Sequence, residues 1–225
     1  MLLRVLKKVL IMTKEEMNNR PKTGTTTIGI VCKDGIVLAA DKRMTAGYIA
    51  YDKVEKIIKI ADNMAVTTAG MVSEVQLLSK LIKAELKLKD IQTYRKSTVK
   101  EAANLLAGIV YSNVRKMSMI PSIAAFLLGG YDTEGHLYGL GIDGSVTEYD
   151  NYTTDGSGCL FALGVLEALY KKGLSVDEGV KLAVKAINAS IQRDPNSGNG
   201  ILVFTLTDKG VKKVMDKQLD ARLEA

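Results

Sequence analysis

Histidine is nearly missing from this sequence: 225 residues hold one, His136. A Ser/His/Asp triad would have to use that residue, and no GxSxG elbow accompanies it. His136 follows the turn Asp132-Thr133-Glu134-Gly135 and begins an apolar run, so it reads as structural. Cysteine is scarce as well. Cys32 and Cys159 lie far apart and form no CxxC pair, which argues against a zinc site and a disulfide framework and fits a reducing cytosol. No metal and no cofactor are expected. The start, MLLRVLKKVLIM, is basic and apolar, but its uncharged runs fall far short of the ~20 residues that span a membrane. It also lacks the long apolar core of a secretory signal. It reads either as a short amphipathic helix or as sequence preceding a true start at Met12.

The formal charge of +6 invites a nucleic-acid reading. Its distribution argues against one. Arg4, Lys7, Lys8, Lys14, Arg20 and Lys22 face only Glu15 and Glu16 in residues 1–24, so +4 of the +6 sits in that segment. The remainder is too weakly basic for a nucleic-acid partner. With 47% hydrophobic residues, the chain has the length and apolar content for one domain with a sizeable core. The one compositional boundary lies near residue 24.

From there TTTIGIVCKDGIVLAADKR predicts two β-branched strands around a Lys33-Asp34-Gly35 turn. Further strands are expected over Lys53 to Ile60 and Met64 to Thr68. Val75, Leu78, Ile82 and Leu86 recur at helical spacing, and a second helix opens at Thr98 with Glu101 three residues on, a capping-box pattern. A second sheet region follows in SIAAFLLGGYD, HLYGLGID and VTEYDNYTT. Two more helices are expected, Cys159 to Lys172 and, after a Ser175/Glu178 capping box, Val176 to Arg193. ILVFTLT and VKKVM form a final hairpin. Consecutive helix pairs disfavour strand–helix alternation and suit two packed sheets with helices outside.

Three features could carry chemistry. In Thr23-Gly24-Thr25-Thr26-Thr27, glycine precedes threonine where the polar leader meets the first strand; β propensity alone accounts for Thr26 and Thr27. In KVEKIIKI read as a strand, alternation places Val54, Lys56, Ile58 and Ile60 on one face and Lys53, Glu55, Ile57 and Lys59 on the other. An ammonium among apolar neighbours needs a carboxylate or a lowered pKa, and Asp41, ending IVLAAD, is the available acid. An ordinary strand-end salt bridge accounts for that pair equally well. Asp155-Gly156-Ser157-Gly158 and Arg193-Asp194-Pro195-Asn196-Ser197-Gly198 are hydroxyl clusters flanked by glycine, each by itself no more than a helix boundary. The first lacks the Gly-Lys-Ser/Thr of a phosphate loop.

Together GTTTIGIV, LAADKRMTAG, the strand with Lys56, TTAGMVSEVQ, TTDGSGCLFALGVLE, VDEGVKLAVKAI and IQRDPNSGNG resemble the catalytic β subunits of the proteasome, over residues 24–217. The likeness is to the archaeal or bacterial type within the N-terminal nucleophile hydrolases. It implies an α+β fold, a four-layer αββα sandwich of two antiparallel sheets flanked by helix pairs. It implies a propeptide over 1–24 and one catalytic domain over 25–225. Thr25, freed by a cut after Gly24, would be the nucleophile, with its own α-amine as base. Lys56 would stand beside the threonine oxygen, Asp41 would hold Lys56, and the Gly70 N–H would receive the oxyanion. Ser157, Asp194 and Ser197 would orient the amine. Thr45 and Gly70 would align substrate backbone, and Met44, Val54, Ile58, Thr68 and Val72 would line an apolar specificity pocket. The spacing from Thr45 to Lys56 is slightly shorter than in the family pattern, which raises Lys53 and Lys59 as rivals; strand parity favours Lys56. The implied partners are a seven-membered ring of β subunits, α-subunit rings, an ATP-dependent unfoldase and polypeptide substrates, in the cytoplasm, with no nucleic acid and no membrane. The competing reading is a non-catalytic structural subunit of the β ring.

Overall fold

The computed structural model describes residues 24–45, 49–51, 54–118 and 122–219; residues 1–23, 46–48, 52–53, 119–121 and 220–225 lie outside them, Lys53 included. The first hairpin forms as its sequence dictates, with β1 (Thr26–Cys32) and β2 (Gly35–Asp41) paired antiparallel so that Thr27 faces Ala40 and Ile30 faces Val37. All seven β2 residues are buried because both faces of the strand are covered. One side, Val37 and Ala39, packs under helices, and the other, Ile36, Leu38 and Ala40, meets the second sheet.

Next come a short pair, β3 (Met44–Thr45) and β4 (Ile49–Tyr51), which the sequence patterning did not announce, then β5 (Ile57–Ala61) and β6 (Met64–Gly70). The lysine strand is thus shorter than expected, and Lys56 sits just before it. Two helices follow, α1 (Val72–Thr93) and α2 (Val99–Val114). The Thr98/Glu101 capping box is formed in both directions, and Leu78, Ile82 and Leu86 are buried as the spacing implied. Then come β7 (Ala124–Tyr131), β8 (Gly135–Leu140), β9 (Val146–Tyr149) and β10 (Tyr152–Gly156). VTEYDNYTT is therefore two strands, and they belong to different sheets: β9 pairs with β8, and β10 pairs with β1.

Helix α3 (Cys159–Leu169) stops three residues before Lys172, because Tyr170 turns to extended backbone. Its ring packs edge-on against Tyr152, with centroids 4.9 Å apart, and its hydroxyl donates to the Val31 carbonyl at 3.3 Å. These contacts outweigh further helix. The chain closes with α4 (Val176–Arg193), capped by Ser175 and Glu178, and the hairpin β11 (Gly200–Thr207) and β12 (Gly210–Gln218).

Among the described residues there are two five-stranded antiparallel sheets, ordered β10-β1-β2-β11-β12 and β5-β6-β7-β8-β9. Helices α3 and α4 cover the first sheet and α1 and α2 the second, each over its own apolar layer. A third layer, including Ile36, Leu38, Leu137, Leu202 and Leu206, lies between the sheets. This is the αββα sandwich that the order of elements implied. No helix among the described residues is long and apolar enough to cross a membrane.

Candidate active site

The site gathers where β1 begins, β2 ends and β6 ends. Asp41 closes β2 with no exposed surface, and a carboxylate placed there must be fully partnered. It is. Oδ1 accepts from the Thr26 N–H at 2.8 Å and from Lys56 Nζ at 2.8 Å, while Oδ2 accepts from the N–H groups of Arg43 and Gly198, each at 3.0 Å. Lys56 is 4% exposed. Burial pushes its ammonium below the ordinary lysine value of 10.5, with Asp41 pulling the other way.

The Lys56 ammonium also donates to the Gly24 carbonyl oxygen at 3.1 Å, and the Thr25 hydroxyl donates to that same oxygen at 2.6 Å. Lysine and threonine thus converge on the carbonyl of the peptide bond that joins Gly24 to Thr25. The Gly24 N–H is held in turn by Thr45 Oγ1 at 2.8 Å. There is no room for a side chain at Gly24: a Cβ would lie 2.0 Å from Asn196 Cβ and 2.3 Å from the Asn196 carbonyl oxygen.

On the other side of Thr25, its N–H donates to Ser157 Oγ at 3.3 Å, and Ser157 donates to Asp194 Oδ2 at 2.6 Å. Ser197 donates to the same Asp194 oxygen at 2.7 Å. Of the three residues expected around the amine, only Ser157 reaches it; Asp194 and Ser197 stand behind. Ser197 instead pairs with the Thr26 hydroxyl at 2.8 Å. Thr26, with no exposed surface, is therefore a member of the network rather than only a strand residue. Arg43 was also missed. Its Nε donates to Asn199 Oδ1 and its guanidinium to the Pro195 carbonyl, both at 2.8 Å, which ties the loop carrying Asp194 and Ser197 to the end of β2. The signal was the Asp41-Lys42-Arg43 run itself.

Gly70 ends β6 at φ 120°, where a Cβ would stand 2.2 Å from the Ile123 carbonyl oxygen, so only glycine fits. The Thr68 N–H donates to the Lys56 carbonyl at 2.9 Å. Strand alternation turns the Gly70 N–H to that same side, where Val54 has already left to donate to the Lys42 carbonyl at 3.1 Å. A cavity of about 110 Å³ opens there, lined by Thr25, Gly70 and all five expected pocket residues, Met44, Val54, Ile58, Thr68 and Val72. Val75, Gln76 and Glu55 join its wall, and Glu55 is turned to Lys213 Nζ at 2.5 Å.

Of the rival lysines, Lys59 is exposed and pairs with Asp62 at 3.2 Å, while Lys53 is outside the described residues. His136 lies on β8 between Asp132 and Glu148, at 3.3 and 3.1 Å. Cys32 is buried, its thiol pushed up to about 12 mainly by that burial, and so is chemically quiet.

Comparison with known proteins shows the family. A family model described as Proteasome subunit matches residues 21–206. The chain is 44% identical over 201 residues to Proteasome subunit beta 2 of Pyrococcus abyssi, covering 89% of this chain and 95% of that one. It is 42% identical to Proteasome subunit beta 1 of Thermococcus kodakarensis, covering 89% and 97%, and 41% identical to Proteasome subunit beta of Archaeoglobus profundus, covering 93% and 97%. With its αββα sandwich and a match spanning most of its length, the chain belongs to the proteasome subunit family, among the β subunits.

Proposed function

We propose that this chain is the precursor of a catalytic β subunit, a threonine endopeptidase that removes its own residues 1–24. The observation that carries the reading is the meeting of the Thr25 hydroxyl and the Lys56 ammonium at the Gly24 carbonyl, with Lys56 held by a fully buried Asp41. A structural subunit of the ring would not need that threonine, lysine and aspartate together.

Self-cleavage starts from Thr25 Oγ1, which attacks the Gly24 carbonyl carbon while its proton passes to a water held by the polar groups around it. The C–N bond then breaks, the acyl group moves to oxygen as an ester, and the Thr25 nitrogen takes a proton to become a free amine. Water hydrolyses the ester and releases the leader. Lys56 stabilises the negative charge that gathers on the carbonyl oxygen. The freed α-amine has an ordinary pKa near ~7.7–8, which suits a general base at neutral pH without histidine.

In the processed enzyme the same steps run on a bound polypeptide. Thr25 Oγ1 attacks the scissile carbonyl, the amine takes the proton and passes it to the leaving nitrogen, and the Gly70 N–H receives the oxyanion. Substrate adds alongside Thr45 and Gly70 as an extra strand. The residue before the cut enters the pocket of Met44, Val54, Ile58, Thr68 and Val72, which favours large apolar side chains. Family membership supports the setting: seven-membered β rings stacked with α rings in the cytoplasm, fed by an ATP-dependent unfoldase, yielding short peptides.

The test is Thr25→Ala produced with residue 25 as its first residue. The subunit is expected to assemble and to hydrolyse no fluorogenic peptide, while Thr25→Ser retains part of the activity. Hydrolysis at the normal rate by the alanine variant would overturn the assignment.

A further inference from the structure

At the far side of Gly70 lies a polar cluster that the mechanism above does not use. Asn113 Nδ2, from the end of α2, donates to Glu74 Oε2 at 2.5 Å and to Ser122 Oγ at 2.7 Å. Ser122 Oγ donates to the same Glu74 oxygen at 2.8 Å. All three side chains are half-buried, where an ordered hydrogen-bonded triangle holds its geometry better than in open water.

Glu74 is the third residue of α1, the position from which a glutamate ordinarily reaches back to cap the N–H of the residue preceding the helix. Here that residue is Met71, and its N–H is already taken by the Ile123 carbonyl at 2.8 Å. Glu74 reaches across to Ser122 instead, the residue before Ile123. The carbonyl of Ile123 is also the atom against which Gly70 is packed. A continuous chain therefore runs from Glu74 and Asn113 through Ser122 and Ile123 to the Gly70–Met71 peptide.

We infer that Glu74, Asn113 and Ser122 are positioning residues that fix the Gly70 N–H for the oxyanion. The inference rests on the proposed role of Gly70. None of the three touches substrate; they act by pinning the 122–123 segment, which sets the angle at which β6 ends. Displacing reacting groups by about 1 Å costs on the order of 100-fold, so a slackened pin should cost rate and spare binding.

The experiment uses processed, assembled enzyme carrying Glu74→Ala, Glu74→Gln or Ser122→Ala, with Thr25→Ala as reference. Glu74→Ala should lower kcat by about 10- to 100-fold, with KM within about twofold. Ser122→Ala should fall less. Glu74→Gln, which keeps the reach and an acceptor oxygen, should recover most of the rate. A peptide aldehyde provides the second readout. Thr25 Oγ1 adds to its carbon, and the hydroxyl proton passes through the amine to the new hemiacetal oxygen, which lies against the Gly70 N–H. Its affinity should fall by the same factor as kcat, while that of a non-reacting product peptide should not move. Equal weakening of aldehyde and product peptide, or an unchanged kcat in both alanine variants, would overturn the inference. Should Glu74→Ala not assemble, Ser122→Ala decides by the same criteria. Full activity of Thr25→Ala would instead remove the reading on which this inference stands.

Discussion

The two halves of the sandwich contribute unlike things to one site. The half built on β1, β2, β10, α3 and α4 supplies the threonine, Asp41, Ser157, Asp194 and Ser197, a buried network in which nearly every oxygen is partnered. The half built on β5, β6, β7, α1 and α2 supplies one ammonium, one backbone N–H and a mostly carbon-walled cavity. In the proposed mechanism the contrast has a reason, since fixing a nucleophile takes many short polar contacts whereas accommodating varied side chains takes apolar surface. Lys56 is where the halves meet, since it leaves the second and is neutralised by the first.

Breaking that junction should have the largest effect. Lys56→Ala removes the cation expected beside the Thr25 oxygen and should slow peptide hydrolysis on the order of 10³-fold, measured on enzyme produced from residue 25. It also strands a buried carboxylate, but Asp41 retains its three backbone N–H donors, so the fold should persist with a lowered melting temperature. The pH profile sharpens the point. Burial lowers the Lys56 pKa and Asp41 raises it, so the alkaline limb of kcat should lie below 10.5. Asp41→Asn removes the raising partner and should move the residual activity's limb further down; an upward move would contradict the pairing.

Next in size is Gly24→Ala, which touches only the first half. Its methyl would overlap Asn196, so Gly24 must shift and self-cleavage should slow by up to about 100-fold. Residue 24 leaves with the leader, so the variant once processed should hydrolyse peptides at the normal rate, and gel analysis of leader removal against time would show the delay. The pocket of the second half predicts a smaller, graded effect. Peptides with leucine or tyrosine before the cut should be preferred over those with glutamate or lysine by about 10-fold or more. A panel in which lysine wins would show that Glu55 is not kept occupied by Lys213, and one in which glutamate wins would contradict the apolar pocket. Smallest of all, Lys59→Ala should leave kcat unchanged, because that side chain points to solvent and Asp62.

Local signals made much of this legible in sequence. Both capping boxes, the Lys33-Asp34-Gly35 turn and the apolar spacing of Leu78, Ile82 and Leu86 specify structure within a few residues. Lys56 and Asp41 could be paired because one was an ammonium in an apolar pattern and the other a carboxylate ending an apolar strand. What escaped depends on contacts between distant segments. VTEYDNYTT gives no sign that its halves join different sheets, and Tyr170 leaves its helix for Tyr152 and Val31. Thr26 was hidden by ordinary strand preference, and the Glu74–Asn113–Ser122 triangle joins three elements that no short motif connects.

The central claim is that Thr25 frees itself by cutting after Gly24, and we propose that assembly comes first because contacts between subunits would settle the groups around Thr25. Intact-mass measurement of the chain, as isolated subunits and again in assembled rings, tests it most directly. The account predicts full-length chain in the first sample and a new N terminus at Thr25 in the second. An intact leader in rings that hydrolyse peptides would contradict the mechanism, and a Thr25 terminus in isolated subunits would contradict its dependence on assembly.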